Sequence, residues 1–266
     1  MIQSYFIVKY ELKKFFKTAR GYVLLLTGTV PLILFLSLSA EKSRLEYLVI
    51  GRLDLIQNAL LIAYIFYTYI LIIFFTIMVF SDILTNEKAY EFLLVSTSRT
   101  TILTSKILTA IILNTILVIE TLFSFILTLF SYSFPLPSVS IIMRAVLVSL
   151  LICVFLVIPV ILFSNALIIK IAGPFSSMAN YLAIFLFFVI PFIIYFSLFE
   201  LSLFQSEILN YSVHTFVQSI IYSAILTSSS SADQINFSNN ILNLLLVGIA
   251  GYSISIVLFS KSSIIT

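Results

Sequence analysis

The residues of this chain whose types and spacing could do chemistry lie at 82–106. There Asp82, Glu87, Lys88, Glu91, Arg99 and Lys106 crowd into a sequence that elsewhere avoids charge. Read by helical spacing, Glu87 to Leu94 forms a short helix with Tyr90, Leu93 and Leu94 on one side and Glu87, Lys88 and Glu91 on a wet side. Ser96, Thr97 and Ser98 then stop it, as short hydroxyl residues do at helix ends, and Ser98 is placed to cap the next helix. Carboxylates beside an apolar ridge suit docking against another protein. On these residues alone the stretch reads either as that docking element or as an ordinary interfacial loop.

Glu120 is the second such residue. It falls near the middle of a long apolar run, where a carboxylate costs roughly 2.5–3.5 kcal/mol or more in hydrocarbon. It is therefore expected to face protein or a water-filled path. One reading makes it a substrate or proton contact in a translocation path, with Asn114 one to two turns earlier as a polar neighbour. The other makes it a protonated residue hydrogen-bonded between helices. Bond-making chemistry finds little support. None of the six glycines begins a G-x-x-x-x-G-K-[ST] phosphate loop, so the chain is not expected to hydrolyse ATP by itself. His214 and Cys153 each stand alone, which excludes a histidine or cysteine metal cluster and an internal disulfide within one chain. No G-x-S-x-G, H-E-x-x-H or paired intramembrane aspartates occur, and no enzyme activity is expected.

The elements that must position these residues follow from composition. Hydrophobic residues make up 61% of the chain and charged ones 9%, so most of its surface must be solvated by lipid. An all-α, polytopic membrane protein is expected. Crossing hydrocarbon takes roughly 20 apolar residues in a helix. Six runs qualify: 21–40, 55–81, 107–131 (interrupted by Glu120), 145–169, 171–199 and 234–260. Pro135 and Pro137 forbid continuous helix between the third and fourth, and irregular backbone cannot face lipid, so that turn belongs at a membrane surface. Gly173 and Pro174 part the fourth run from the fifth. Pro159 and Pro191, inside those two runs, are expected to kink them. Gly248 and Gly251 are three apart, one short of the spacing that favours close helix packing, and carry only a weak signal.

A seventh uncharged run, 208–232, carries Asn210, His214, Gln218 and four serines at its end. Charge decides against its crossing, because loops rich in Lys and Arg stay in the cytoplasm. With six spans and both termini inside, Lys9, Lys13, Lys14, Lys17, Arg20, Lys88, Arg99, Lys106, Lys170 and Lys261 collect on one side. Residues 200–240 then read as an external, re-entrant segment. At the amino terminus, 1–20 read as an interfacial helix with Tyr5, Val8, Leu12 and Phe15 on one stripe and Lys9, Lys13 and Lys17 on another. The apolar run that follows is too long for a cleaved signal and reads as a retained span. The helix either anchors and orients that span or also touches a cytoplasmic partner. A net charge of +3 fits loops facing anionic lipid and makes no case for nucleic acid.

With these residues in view, the loop resembles the coupling-helix loop of type-2 ATP-binding-cassette exporter permeases. That loop reads as an acidic residue, a small pair, Glu-x-Leu-Leu, a Ser-Pro-like step, Arg, and later Gly-Lys entering the next span. Glu87, Glu91, Leu93, Leu94, Ser96, Arg99, Ile102 and Lys106 fall at matching spacings. Ala89 and Tyr90 stand where Gly-Thr is usual, Thr97 where proline is common, and Ser105 where glycine precedes the lysine. The resemblance implies a permease subunit in a prokaryotic cell membrane, paired with a second permease, identical or different, and with two separate ATPase subunits. Those partners would hold the ATP and magnesium, and this chain would hold no cofactor. It implies that Glu87, Glu91 and Arg99 make polar contacts with the ATPase and that Tyr90, Leu93 and Leu94 supply the apolar ridge. Two other classes remain open: a secondary transporter, for which Glu120 would have to serve ion coupling, and a non-transporting scaffold or immunity-type membrane protein.

Overall fold

The computed structural model describes residues 2–24, 26, 27, 29, 53–81, 99–131, 136–172, 217, 220, 221 and 231–261. Every element among them is helical. They are α1 (Ile2–Lys17), α2 (Leu53–Ser81), α3 (Arg99–Ser131), α4 (Val139–Ile152), a π-helical turn (Cys153–Val157), α5 (Ile158–Ala172) and α6 (Ser231–Lys261). Thr100–Phe130, Val139–Ala166 and Ser238–Leu258 are long and apolar enough to cross a membrane, and α2 contains the shorter apolar stretch Tyr64–Phe80. The expected Glu87 to Leu94 helix, the first run beyond residue 29, the fifth run beyond residue 172 and most of 200–230 lie outside the described residues.

Helix boundaries depart from the uncharged runs in an instructive way. The third uncharged run stops at 107 because of Lys106, while α3 begins at Arg99, where the reading of Ser98 as the cap of the next helix puts its start, and spans 33 residues. A lone cation does not end a helix when its side chain finds a partner or reaches the surface. Arg144 bounded the fourth run in the same way, but α4 starts at Val139, just after Pro135 and Pro137. Its first turn is closed by Ile141 and Ile142 N–H groups donating to the Ser138 carbonyl at 3.0 and 3.1 Å. At the carboxyl end, α6 starts at Ser231, so residues 231–240 are helical and continuous with the last apolar run.

Pro159 has no N–H, and its ring presses on the preceding turn. The chain responds with a π turn at Cys153–Val157, in which the Ile158 N–H reaches back to the Cys153 carbonyl. That shift takes from the Val154 carbonyl its usual donor, Ile158; the next amide along is Pro159, which cannot donate. Tyr252 of α6 meets the need, its hydroxyl donating to Val154 O at 2.8 Å. Gly248 and Gly251 let α6 come this close. A Cβ at Gly248 would lie 2.6 Å from the Phe155 ring and 2.8 Å from its Cα, and one at Gly251 would lie 2.8 Å from Pro159 Cβ. Three-residue spacing, weak as a sequence signal, therefore marks a tight helix contact here.

α2 packs along α3, α1 lies against α3, and α6 packs on α5 and the π turn. A shared core runs between them, including Phe15, Tyr69, Phe75, Leu113, Leu117, Ile152 and Leu244. Apolar residues also cover the outside: Ile119, Phe123 and Phe130 of α3 are exposed, as expected of a surface wetted by lipid.

Candidate functional site

At the amino-terminal end of α3 the chain buries an ion pair. Lys106 Nζ lies 2.9 Å from Glu11 Oε1, with the lysine side chain 1% exposed and the glutamate 10%. Glu11 sits between Val8 and Phe15 on the buried face of α1, one turn from each by helical spacing. Two buried charges must be paired or the desolvation cost is prohibitive, so the pair fixes α1 in one register against α3. Close by, the chain bends at Thr18. Its hydroxyl donates to Phe15 O at 2.9 Å, and the Gly21 N–H donates to Thr18 O at 3.1 Å. Gly21 is required there, since a Cβ would come within 2.8 Å of Phe16 Cα. Arg20 then reaches across to α2 and donates to the Met78 carbonyl at 3.5 Å.

Further along α3, a seam of polar groups faces α2. Asn114 Nδ2 donates to Thr76 Oγ1 at 2.8 Å, with the Cys153 thiol alongside. Thr68 Oγ1 lies 3.2 Å from Thr121 Oγ1, and the Tyr64 hydroxyl donates to Val118 O at 3.1 Å. Tyr64 also stacks on Phe125 with ring centroids 5.0 Å apart. Asn114, Thr76, Thr68 and Thr121 are all fully buried. Threonine suits this role because its hydroxyl can satisfy itself on the carbonyl four residues back, as Thr121 does on Leu117 O at 2.9 Å, and still accept from a neighbouring helix.

Glu120 is half-buried at the flank of this seam. Its Oε2 is buried and has no hydrogen-bond partner among the described residues, while Tyr67 of α2 lies within electrostatic reach of its carboxylate. The Tyr67 hydroxyl donates to Thr27 O at 2.6 Å. Asn114 is not its partner. Six residues along a helix turn the side chains about 120° apart, so Asn114 points to Thr76 and Cys153 while Glu120 points elsewhere.

Of the residues expected to touch an ATPase, Glu87, Tyr90, Glu91, Leu93 and Leu94 lie outside the described residues, and Arg99 opens α3 with its side chain outside them. The loop's far end, Lys106, is where the structure speaks, joining α1 through Glu11. That partner was hidden in the sequence, where one glutamate among Lys9, Lys13, Lys14 and Lys17 looks like another surface charge. The apolar stripe read on α1 is split between protein and surface. Val8 and Phe15 are buried against the bundle together with Glu11, while Tyr5 is 63% exposed.

These helices, three of them of membrane-crossing length, define an α-helical protein of the membrane-spanning kind. No family model, no curated protein and no solved structure matches the chain.

Proposed function

We propose that the chain is the permease subunit of an ATP-binding-cassette exporter. In this reading it crosses a prokaryotic cell membrane six times with both termini inside, pairs with a second permease, and moves a substrate with ATP hydrolysed by separate subunits. The observation that carries the reading is the spacing of Glu87, Glu91, Leu93, Leu94, Arg99 and Lys106 in the loop between two apolar helices. The Glu11–Lys106 pair supports it, since it gives a push on that loop a route into both α1 and α3. Closure of the ATPase pair would press on Glu87 to Leu94 and bias the bundle between inward-open and outward-open populations.

Charge reversal tests the contact. Glu87→Arg is expected to lower co-purification with the ATPase subunit at least about tenfold and to abolish export, since a misplaced like charge costs several kcal/mol. Unchanged co-purification with full export would overturn the assignment. A second reading, a secondary transporter, is favoured by one observation: the buried Glu120 Oε2, which has no hydrogen-bond partner among the described residues. ATP-independent transport that is lost in Glu120→Gln would select it over the exporter.

A further inference from the structure

Among the described helices long enough to cross a membrane, α6 is the least covered by its own chain. Only 17% of the apolar window in Ser238–Leu258 is buried, against 44% in Thr100–Phe130 and 56% in Val139–Ala166. One side of α6 is already occupied. Leu244, Gly248 and Ser255 are buried there, with Gly248 against Phe155 of the π turn and Gly251 against Pro159. Roughly opposite by helical spacing stand Asn239, Asn243, Leu246, Ala250, Ser253 and Val257, all exposed. They follow one another at four, three, four, three and four residues, the alternation of a seam between two helices that coil about each other. Leu242 and Ile249 flank this seam on one side and Val247 and Ile254 on the other, all exposed. The flanks have the composition of a surface wetted by lipid, and the seam does not.

The amides are what lipid leaves unexplained. Asn239 stands at the rim of the membrane-length stretch and Asn243 one turn deeper, roughly 7.5 Å along the axis from Ser238. A carboxamide carries two donors and an acceptor, and hydrocarbon answers none of them. Further along, Ser253 donates its hydroxyl to Ile249 O at 2.8 Å and keeps its lone pairs for a neighbour. We propose that α6 packs through this seam against α6 of a second copy of this chain. Two copies inserted the same way round are related by a two-fold axis along the membrane normal, so each seam residue meets its own counterpart. The seam suits that meeting. The Asn243 amide can both donate to its counterpart and accept from it, Leu246 packs on Leu246, and Ala250 lets the backbones approach. No charged residue stands on the seam, so meeting itself brings no like charges together. The proposal rests on α6 alone and not on the exporter reading, which asks for a second permease without choosing a face.

Cys153 is the one cysteine of the chain, so Cys153→Ala gives a full-length background without thiols. In that background Leu246→Cys, Ala250→Cys and Ser253→Cys on the seam, and Leu242→Cys and Ile249→Cys on one flank, are oxidised in native membranes. Disulfide-linked dimers, at twice the 30.0 kDa of the chain, are expected from the seam and not from the flank, because a disulfide needs Cα atoms within roughly 7 Å of each other. These substitutions lie on the outside of α6, where folding does not depend on them. In the chain with Cys153 intact, Asn243→Val is expected to weaken self-association about fivefold by sedimentation equilibrium in detergent, while Ile249→Val leaves it unchanged. Dimers linked as readily through the flank as through the seam would overturn the proposal, as random collision. So would cross-links to a protein of another mass, meaning a different partner, or a monomer that no seam cysteine links, meaning that the chain covers the seam itself. Loss of co-purification with an ATPase bears on the exporter reading only.

Discussion

The seam between α2 and α3 and the seam between α6 and the π turn hold helices together by opposite means. Between helices in lipid there is little hydrophobic drive, so close packing and hydrogen bonds must supply the attraction. The α2–α3 seam uses side chains: Asn114 on Thr76, Thr68 on Thr121, and Tyr64 on Val118 O. Its cytoplasmic extension in the proposed orientation is the Glu11–Lys106 pair, which brings in α1. The α6 seam uses the absence of side chains, with Gly248 and Gly251 against Phe155 and Pro159, and one hydroxyl, Tyr252, on the carbonyl that the π turn exposes. The first seam spreads its polar contacts over many groups. The second concentrates its fit at three residues with no slack.

The largest effect should come from breaking the one place where the first seam is not redundant. Lys106→Met leaves Glu11 buried and unanswered, and removal of one partner of a buried pair costs about 3–5 kcal/mol. A large drop in thermal unfolding temperature in detergent is expected. Adding Glu11→Leu should recover most of the loss, because an apolar pair can replace a buried ion pair at little cost. If the double variant is as unstable as Lys106→Met alone, the two charges do not act as a pair.

The second seam should fail by crowding. Gly248→Val forces atoms into Phe155, including its backbone, and is expected to cost about 1–3 kcal/mol. Gly251→Ala meets only the Pro159 ring closely and should cost less. Equal tolerance at both positions, measured by the same unfolding assay, would mean that α6 does not approach the π turn closely.

How much of this was legible in the sequence differs between the two seams. Apolar length alone located α2, α3, the α4–α5 helix and α6, because the bilayer requirement is one-dimensional. Charge bounded the uncharged runs at Lys106 and Arg144, while Ser98 as a cap already put the start of α3 at Arg99; that Lys106 is buried depends on Glu11, far away in the chain. The pairing across α2 and α3 was not legible either. Threonine is common in such helices, and only the rotation of each helix says which hydroxyls meet. Asn114 and Glu120 looked like neighbours in sequence but occupy different faces. At the second seam the residues were visible but their meaning was not. Three-residue glycine spacing became a contact surface only with the π turn opposite, and the π turn follows from Pro159 together with the packing around it. Within the candidate coupling loop, the sequence spacing still stands by itself, joined to the described structure at Lys106.

The smallest effects sharpen the contrast. Thr68→Val removes one hydroxyl from the α2–α3 seam, yet Thr121 keeps its own carbonyl partner and Tyr64 keeps Val118 O. A loss near 0.6 kcal/mol, about the average for interhelical bonds in a membrane, is expected. Tyr252→Phe removes a single hydroxyl too, but leaves the Val154 carbonyl with nothing: Ile158 N–H is committed to Cys153 O, and Pro159 has none. The expected cost is about 1–3 kcal/mol, the range for a buried group deprived of its partner. Measured side by side, Tyr252→Phe should destabilise the protein more than Thr68→Val although each deletes one oxygen. The reverse order would mean that the π turn satisfies its own carbonyls, and that the glycine contact, not the tyrosine, is what fastens α6.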